Sequence, residues 1–206
     1  GRDPDQMLKD DGMKAGQVLA FAGVKPGQVV DHLVPGDGYY TRILSKVVGA
    51  KGHLYATVPF AGAINAETIR RESNNAHQTV DDVLALQNLI HYRNNLLVIW
   101  QFIGLDGGAF GLPYQADVIF TSNYPTLHSE KATDTKDLTG FLSEVFSSTK
   151  NGGVFVVSGA TAAKGAGFTQ AESLGRVEPD AVKAELQKAG DRKSTRLNSS
   201  HGYISY

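Results

Sequence analysis

Two kinds of hydrophobic pattern alternate along this chain: short runs of β-branched apolar residues, and stretches with an apolar residue every three or four positions. Val29 to Val34 is a run of the first kind, bounded by the turn signals Pro26-Gly27 and Pro35-Gly36, and it predicts a buried strand. From Tyr39 onward Tyr40, Ile43, Leu44, Val47 and Val48 recur at helical spacing, and Gly49 ends the run as a C-cap does. Upstream, Val18, Leu19, Phe21 and Ala22 mark a short amphipathic helix over Lys14 to Gly23. Downstream, His53 to Val58 reads as a second strand stopped by Pro59, and residues 62–91 as mostly helix with a break at Ser73 to Asn75. Leu96 to Phe102 gives a third strand, followed by a glycine loop that fits no helix. Asp117 to Ser122 gives a fourth, of the kind that lies at a sheet centre. Helix over Leu138 to Phe146, strand over Gly153 to Ser158 and helix over Pro179 to Ala189 complete the series, with Glu178 and Asp180 suited to the last helix's N-terminus. Strands alternating with helices, without an internal repeat, predict an α/β fold with a doubly wound, mostly parallel sheet.

The chain has 206 residues, enough for one α/β domain with a sizeable core. Its net charge is -1 and its first 190 residues hold no basic cluster, so nucleic acid is not expected as a partner. With no cysteine, disulfides, thiolate metal sites and cysteine nucleophiles are excluded together. No apolar run reaches the roughly 18 residues of a membrane span, so membrane insertion is not expected. The chain opens on Gly1 rather than methionine, and an upstream export signal stays open.

Strand, glycine turn and helix in that order begin the nucleotide site of a doubly wound sheet, where glycines let backbone approach a ligand and the helix offers unpaired N–H groups. A dinucleotide fingerprint wants a third glycine three residues after Gly38. That position is Thr41, preceded by the bulky Tyr39 and Tyr40, which argues against a pyrophosphate. No Gly-Lys-Ser/Thr follows the turn, which removes a P-loop. A ligand without phosphate, its amino-acid end near the glycines, remains: S-adenosylmethionine. A tight turn that binds nothing is the other reading.

Residues 18–59, VLAFAGVKPGQVVDHLVPGDGYYTRILSKVVGAKGHLYATVP, resemble a group of bacterial predicted class I S-adenosylmethionine-dependent methyltransferases. In that group an Ala-Phe-Ala-Gly helix leads into Lys-Pro-Gly, and the turn reads Pro-Gly-Gly-Gly-Tyr-Tyr-Thr-Arg. The likeness resumes at ADVIFTSNYPTLHSE, residues 116–130, and at NGGVFVVSGA, residues 151–160. It implies a Rossmann-like sheet of order 3-2-1-4-5-7-6 with the seventh strand antiparallel. The last residues, DRKSTRLNSSHGYISY, are polar and aperiodic, and they back-translate in frame into a sequencing-library adapter. The expected organisation is therefore a polar lead-in over 1–13, one methyltransferase-like domain over 14–190, and a non-native tail over 191–206. Such a chain would have a 3-2-1-4-5 sheet without its final two strands, and would expose an apolar edge at Val154 to Val157.

The candidate cofactor residues are Pro35, Gly36, Asp37, Gly38, Tyr39, Tyr40 and Thr41 in the turn, with Asp31 and His32 in the strand before it. Aligned on Pro-Gly-x-Gly, the strand acid of the resembled group falls at His32, whereas this chain carries its acid at Asp31. A one-residue offset points the carboxylate to the other face of the sheet, so either a bulge recovers Asp31 or His32 takes the acid's place. A satisfied, partly buried histidine is the plain alternative for His32. Asp37 stands where the group has a turn glycine, and Asp tolerates left-handed backbone. At the end of the second strand, where an acid commonly accepts the ribose hydroxyls, this chain has none and Thr57 offers one weaker hydrogen bond; the resembled group likewise lacks the acid, with an apolar Val-Val-Pro there. Asp106 follows the third strand, placed either to hold an adenine amino group or simply to make an Asp-Gly turn.

After the fourth strand, Asn123, Tyr124, Leu127 and His128 match the group's Gln-Asn-Tyr-His-x-Leu-His, which puts Asn123, Tyr124 and His128 on the acceptor side. His128 is the histidine placed to act as a general base, or it is a solvent-facing loop residue. Asn123-Tyr124-Pro125 is similar to the Asn/Asp-Pro-Pro-Tyr motif of amino-group methyltransferases, but its order differs and one proline is missing, so nucleobase methylation does not follow. His128, Glu130 and Asp134 have no fixed metal-ligand geometry, and no metal is expected.

The function that follows is S-adenosylmethionine-dependent methyl transfer to an unidentified small-molecule or protein acceptor. A degenerate nucleoside-binding homologue is the alternative, favoured by the absent ribose acid and the displaced Asp31. An NAD-dependent oxidoreductase is third, disfavoured by Tyr39 to Thr41. The compartment is unread, with cytoplasm favoured by cofactor supply; the oligomeric state is unread as well.

Overall fold

The first strand holds the centre of the sheet because its sequence leaves no face for water. In the computed structural model, which describes residues 7–36, 38–60, 96–102, 112–128, 137–190, 195–199 and 202–203, β1 spans Val29–Leu33 and all five of its side chains are buried. Among the described residues two short helices precede it, α1 over Asp10–Met13 and α2 over Ala15–Ala22. Gly23, at φ 73°, closes α2. Helix α3, Tyr39–Val48, follows the glycine turn and stops at Gly49. The next strands are β2, His53–Phe60, β3, Leu96–Phe102, and β4, Ala116–Thr121. A 3-10 turn over Tyr124–His128 and α4, Thr139–Ser147, lead into the long β5, Thr149–Thr161. A single turn α5, Ala171–Leu174, a two-residue β6, Arg176–Val177, and α6, Pro179–Lys188, follow.

The sheet runs β3-β2-β1-β4-β5 with parallel neighbours throughout, as expected from the alternation of elements. Side-chain alternation along β1 builds a core on each face. Val29 and Leu33 pack with Ile119, Phe155, Leu142 of α4 and Val182 of α6. Val30 packs on the other face with Phe120, Val156, Leu44 of α3 and Val18 of α2. The chain moves from β1 outward through β2 to β3, then returns to the other side of β1 as β4. The direction of winding therefore reverses between β1 and β4.

Three expectations need correction. Pro59 does not stop β2, which pairs with β3 as far as Phe60. The N–H of His53 donates to the Gln28 carbonyl and the Thr57 carbonyl accepts from Val34, so odd positions of β2 address β1. Pairing with β1 ends at Leu33 and Thr57, and at Pro59 there is no ladder bond on that side to lose. β5 is longer than Gly153 to Ser158, starting at Thr149 with the pairing of Ala116 and Thr149 before a register shift.

The sheet also does not end at β5, and the apolar edge expected at Val154 to Val157 is covered. Residues 195–199 form β7, parallel to β5 in the register Phe155 to Thr195 through Gly159 to Ser199, and β8, Gly202–Tyr203, pairs antiparallel with β7. A strand edge presents a row of unpaired N–H and C=O groups that any extended chain can meet, so a polar, aperiodic segment pairs there through its backbone. The lead-in over 1–13 also takes part in the fold, through α1. Asp37, Asp106, Glu130, Asp134 and the helix read over 62–91 lie outside the described residues. Among the described residues no helix is long and apolar enough to cross a membrane.

Candidate functional site at the β1–β4 switch point

Where winding reverses, the connections leaving the carboxyl ends of β1 and β4 diverge to opposite faces, which opens a crevice between them. A cleft of 340 Å³ occurs there, lined by Val34, Pro35 and Gly36 after β1, Tyr39 and Tyr40 at the start of α3, and Ser122, Asn123 and Thr126 after β4. Lys9 and Met13 reach it from the N-terminal segment. The volume falls within the usual range for small-molecule sites.

The floor of the cleft is a braced, strained turn. Val34 is left-handed, at φ 56°, a conformation that costs a β-branched residue on the order of 1–3 kcal/mol. Two hydrogen bonds hold it there: its N–H donates to the Thr57 carbonyl at 2.9 Å, and its carbonyl accepts from Asn123 Nδ2 at 3.0 Å. Gly36, also left-handed at φ 55°, passes so close to the Asn123 amide that a Cβ would stand 2.9 Å from Nδ2. Gly38, at φ 76°, donates to the Pro35 carbonyl and turns the chain into α3, whose first N–H groups face the turn without intrahelical acceptors.

Asp31 and His32 fall on opposite faces. The β1 register against both β2 and β4 runs without a bulge, so nothing returns Asp31 to the cleft side. It is fully buried, and Thr57 Oγ1 donates to its Oδ1 at 2.7 Å, while Oδ2 has no hydrogen-bond partner. Burial pushes its carboxyl up to about 7, against the opposing effect of the Thr57 hydrogen bonds. The Thr57 hydroxyl, itself fully buried, is thereby committed to Asp31 and not presented to a ribose. His32 lies beneath the start of α3, its Nδ1 2.8 Å from Thr41 Oγ1 and its ring packed against Phe120 and Tyr40.

Tyr39 and Tyr40 act in two directions. Their rings meet edge to face at 5.0 Å and wall the cleft, while their hydroxyls reach out to α1, Tyr39 donating to Asp10 Oδ1 at 2.6 Å and Tyr40 to the Met13 carbonyl at 2.8 Å. Burial raises the Tyr40 phenol well above its ordinary value, keeping it a donor.

Of the sequence-read residues, Pro35, Gly36, Tyr39, Tyr40 and Asn123 line the cleft, whereas Asp31, His32, Gly38, Thr41, Thr57, Tyr124 and His128 do not. Tyr124 is buried in the core and donates to Glu185 Oε2 of α6 at 2.5 Å; His128 Nε2 meets the same oxygen at 2.9 Å. The His128 ring stacks on Phe168 at 3.7 Å. Burial, with Glu185 second, raises the Tyr124 phenol well above its ordinary value. Lys9, Met13, Val34, Ser122 and Thr126 line the cleft without having been read from sequence. For Val34 and Ser122 the signal was their place at the ends of two adjacent strands; the other three carried none.

The same fold recurs in solved structures. A SAM-dependent methyltransferase from Aquifex aeolicus superposes with a TM-score of 0.57 at 21% identity, covering 92% of this chain and 84% of that one. The fold is that of the Rossmann-like methyltransferases. An arsenic(III) S-adenosylmethionine methyltransferase from Chlamydomonas reinhardtii matches with a TM-score of 0.51 at 15% identity, over 81% of this chain and 52% of that one. Fibrillarin from Aeropyrum pernix, solved with natively bound S-adenosyl-L-methionine, matches with a TM-score of 0.50 at 14% identity, over 86% of this chain and 64% of that one. This chain thus spans about half the length of the second and under two thirds of the third. No family model and no curated protein matches the sequence.

Proposed function

We propose that the chain transfers a methyl group from S-adenosylmethionine to an acceptor still to be identified. The observation that carries this reading is the cleft at the β1–β4 switch point, with the turn of Val34 to Gly36 as its floor. Its residues fit a ligand with a compact polar end and no phosphate. Gly36 admits close backbone approach, the first turn of α3 offers N–H groups, and the rings of Tyr39 and Tyr40 occupy the side where a dinucleotide's pyrophosphate would need room.

When bound, S-adenosylmethionine supplies an electrophilic methyl group on a sulfonium. The protein's share of such a displacement is alignment and exclusion of water. Val34, Pro35 and Gly36 would hold the amino-acid end, the tyrosine rings would shield it, and Ser122, Asn123 and Thr126 would line the route of the acceptor. Asn123 braces the turn through Val34 while lining the cleft, so it joins the two halves of the site.

A non-catalytic nucleoside-binding protein is the second reading, favoured by the Thr57 hydroxyl being committed to Asp31 and by His128 being paired with Glu185. Calorimetric titration with S-adenosylmethionine, S-adenosylhomocysteine and NAD separates the readings. Binding of the first two, with methyl transfer in an acceptor screen, is the expected result. Binding without turnover on any acceptor favours the second reading, and binding of NAD alone overturns both.

A further inference from the structure

Val34 stands against the alternation of its own strand. Val30 and His32, at the even positions of β1, face α3, and an extended Val34 would point the same way, toward Tyr39 and Tyr40. Instead its side chain is buried with Val29 and Leu33 in the core on the other face. The left-handed backbone at φ 56° makes that reversal, and it keeps the isopropyl group away from the side on which the two rings wall the cleft. Such a conformation is costly for a β-branched residue and persists only where its surroundings impose it. On the β2 side the constraint is backbone, because the Val34 N–H donates to the Thr57 carbonyl one step beyond the last β1–β2 pair. On the β4 side strand pairing ends earlier, at His32 and Phe120, and a side chain takes over: Asn123 Nδ2 donates to the Val34 carbonyl at 3.0 Å. A carbonyl can only accept, so this contact fixes the amide with its nitrogen toward the turn. Gly36 makes room for it, since a Cβ there would stand 2.9 Å from Nδ2.

We propose that Asn123 is a positioning residue for the ligand: through the Val34 carbonyl it holds residue 34 left-handed, which keeps that side chain in the core and the cleft open beside the glycine turn. The role rests on the methyltransferase reading and deepens it, because the turn so held is the one that would take the cofactor's amino-acid end. Without the amide, Val34 relaxes part of the time toward extended backbone with its side chain swung to the α3 face, and the apparent affinity falls with the fraction of chains still competent to bind.

The test is a double-substitution cycle in the full chain, with Asn123→Ala, Val34→Gly and both together titrated by calorimetry with S-adenosylhomocysteine. Glycine adopts positive φ readily and has no side chain to swing, so it removes the need for the brace. Asn123→Ala is expected to weaken S-adenosylhomocysteine about three- to tenfold in the parent, the share of one hydrogen bond, and less than about twofold in the Val34→Gly background. Backbone NMR of unliganded Asn123→Ala supplies a readout that does not depend on how well the glycine variant folds. The Val34 chemical shifts, left-handed in the parent, are expected to move toward extended values while those of the rest of β1 stay in place. Equal loss in both backgrounds, loss in neither, or unchanged Val34 shifts overturns the inference and leaves the methyltransferase reading intact. Failure of the unaltered chain to bind S-adenosylhomocysteine overturns that reading instead, with the Val34 shifts still deciding whether Asn123 braces the turn.

Discussion

At the scale of single residues, Asp31 shows how one position decides both what the site lacks and how the fold answers to pH. Alternation along β1 sends its carboxyl away from the cleft, and without a bulge the strand cannot bring it back. There it is fully buried, with one oxygen served by Thr57 and the other unserved, and its carboxyl sits at about 7 instead of 3.8. A carboxyl raised in the folded state holds its proton longer than in the unfolded chain, so between those two values the unfolded state binds fewer protons and stability falls as pH rises. The contribution of the protonated form is fully present below about pH 4 and gone above about pH 7. Asp31→Asn removes the titration and can still accept from Thr57. Above pH 7 it is expected to be more stable than the parent, by up to an amount on the order of 4 kcal/mol, with the gap closing toward pH 5. Urea titrations at both pH values check this, and a gap independent of pH would show that Asp31 is not the group responsible. The offset of Asp31 against the family pattern was legible because strand periodicity is local. Its partner was not, because the Thr57 contact depends on how β1 and β2 are set against each other.

Among elements, the 3-10 turn after β4 is the joint between cleft and core. Asn123 just before it and Thr126 within it line the cleft, whereas Tyr124, Leu127 and His128 face inward. Glu185 of α6 receives both Tyr124 and His128 on a single oxygen. Removing that carboxylate leaves a buried phenol without an acceptor, which costs roughly 1–3 kcal/mol. Glu185→Ala is expected to lose that much in denaturant titrations, Glu185→Gln distinctly less because an amide oxygen still accepts, and Glu185→Ala in a Tyr124→Phe background less than the sum of the single changes. Strict additivity would show that the three side chains do not act as a unit. The sequence placed Asn123, Tyr124 and His128 directly after the fourth strand. It did not reveal which of them turn inward, because α6 lies some sixty residues downstream and only packing brings Glu185 to the turn. Conversely, β1, the glycine turn and α3 were legible in outline, since each is fixed by contiguous residues: an apolar run, glycines and a helical stripe ended by Gly49; the exception is Val34, which reads as the end of the strand but is left-handed at φ 56° in the turn after it. Lys9 was invisible for the opposite reason. The residues around it have no periodicity, and the contacts that hold the segment, the two tyrosine hydroxyls among them, come from residues far along the chain.

Over the whole molecule, the sheet is finished by a strand that its sequence does not advertise. Thr195 to Ser199 has one apolar residue and no alternation, yet it runs parallel to β5 over five paired positions. Backbone pairing of this kind asks little of side chains, and what it protects is the Phe155 to Gly159 edge, with Phe155 and Val156 buried beside it. A chain ending at residue 190 would keep both cores described above, since α6 and everything before it are retained, but it would present that edge to solvent. It is therefore expected to fold and to bind at the cleft as the full chain does, while self-associating more strongly. Light scattering across a concentration series should show larger species for the shortened chain, and an Arg, Lys or Pro placed along the exposed edge should reverse the effect. Equal scattering from the two chains would mean that β7 contributes nothing to covering β5. Loss of ligand binding on shortening would mean instead that the cleft depends on the far edge of the sheet, although no residue of 191–206 is among those described as lining it. The two outcomes separate because the edge and the switch point lie on opposite sides of β4 and β5, and a defect confined to one need not reach the other.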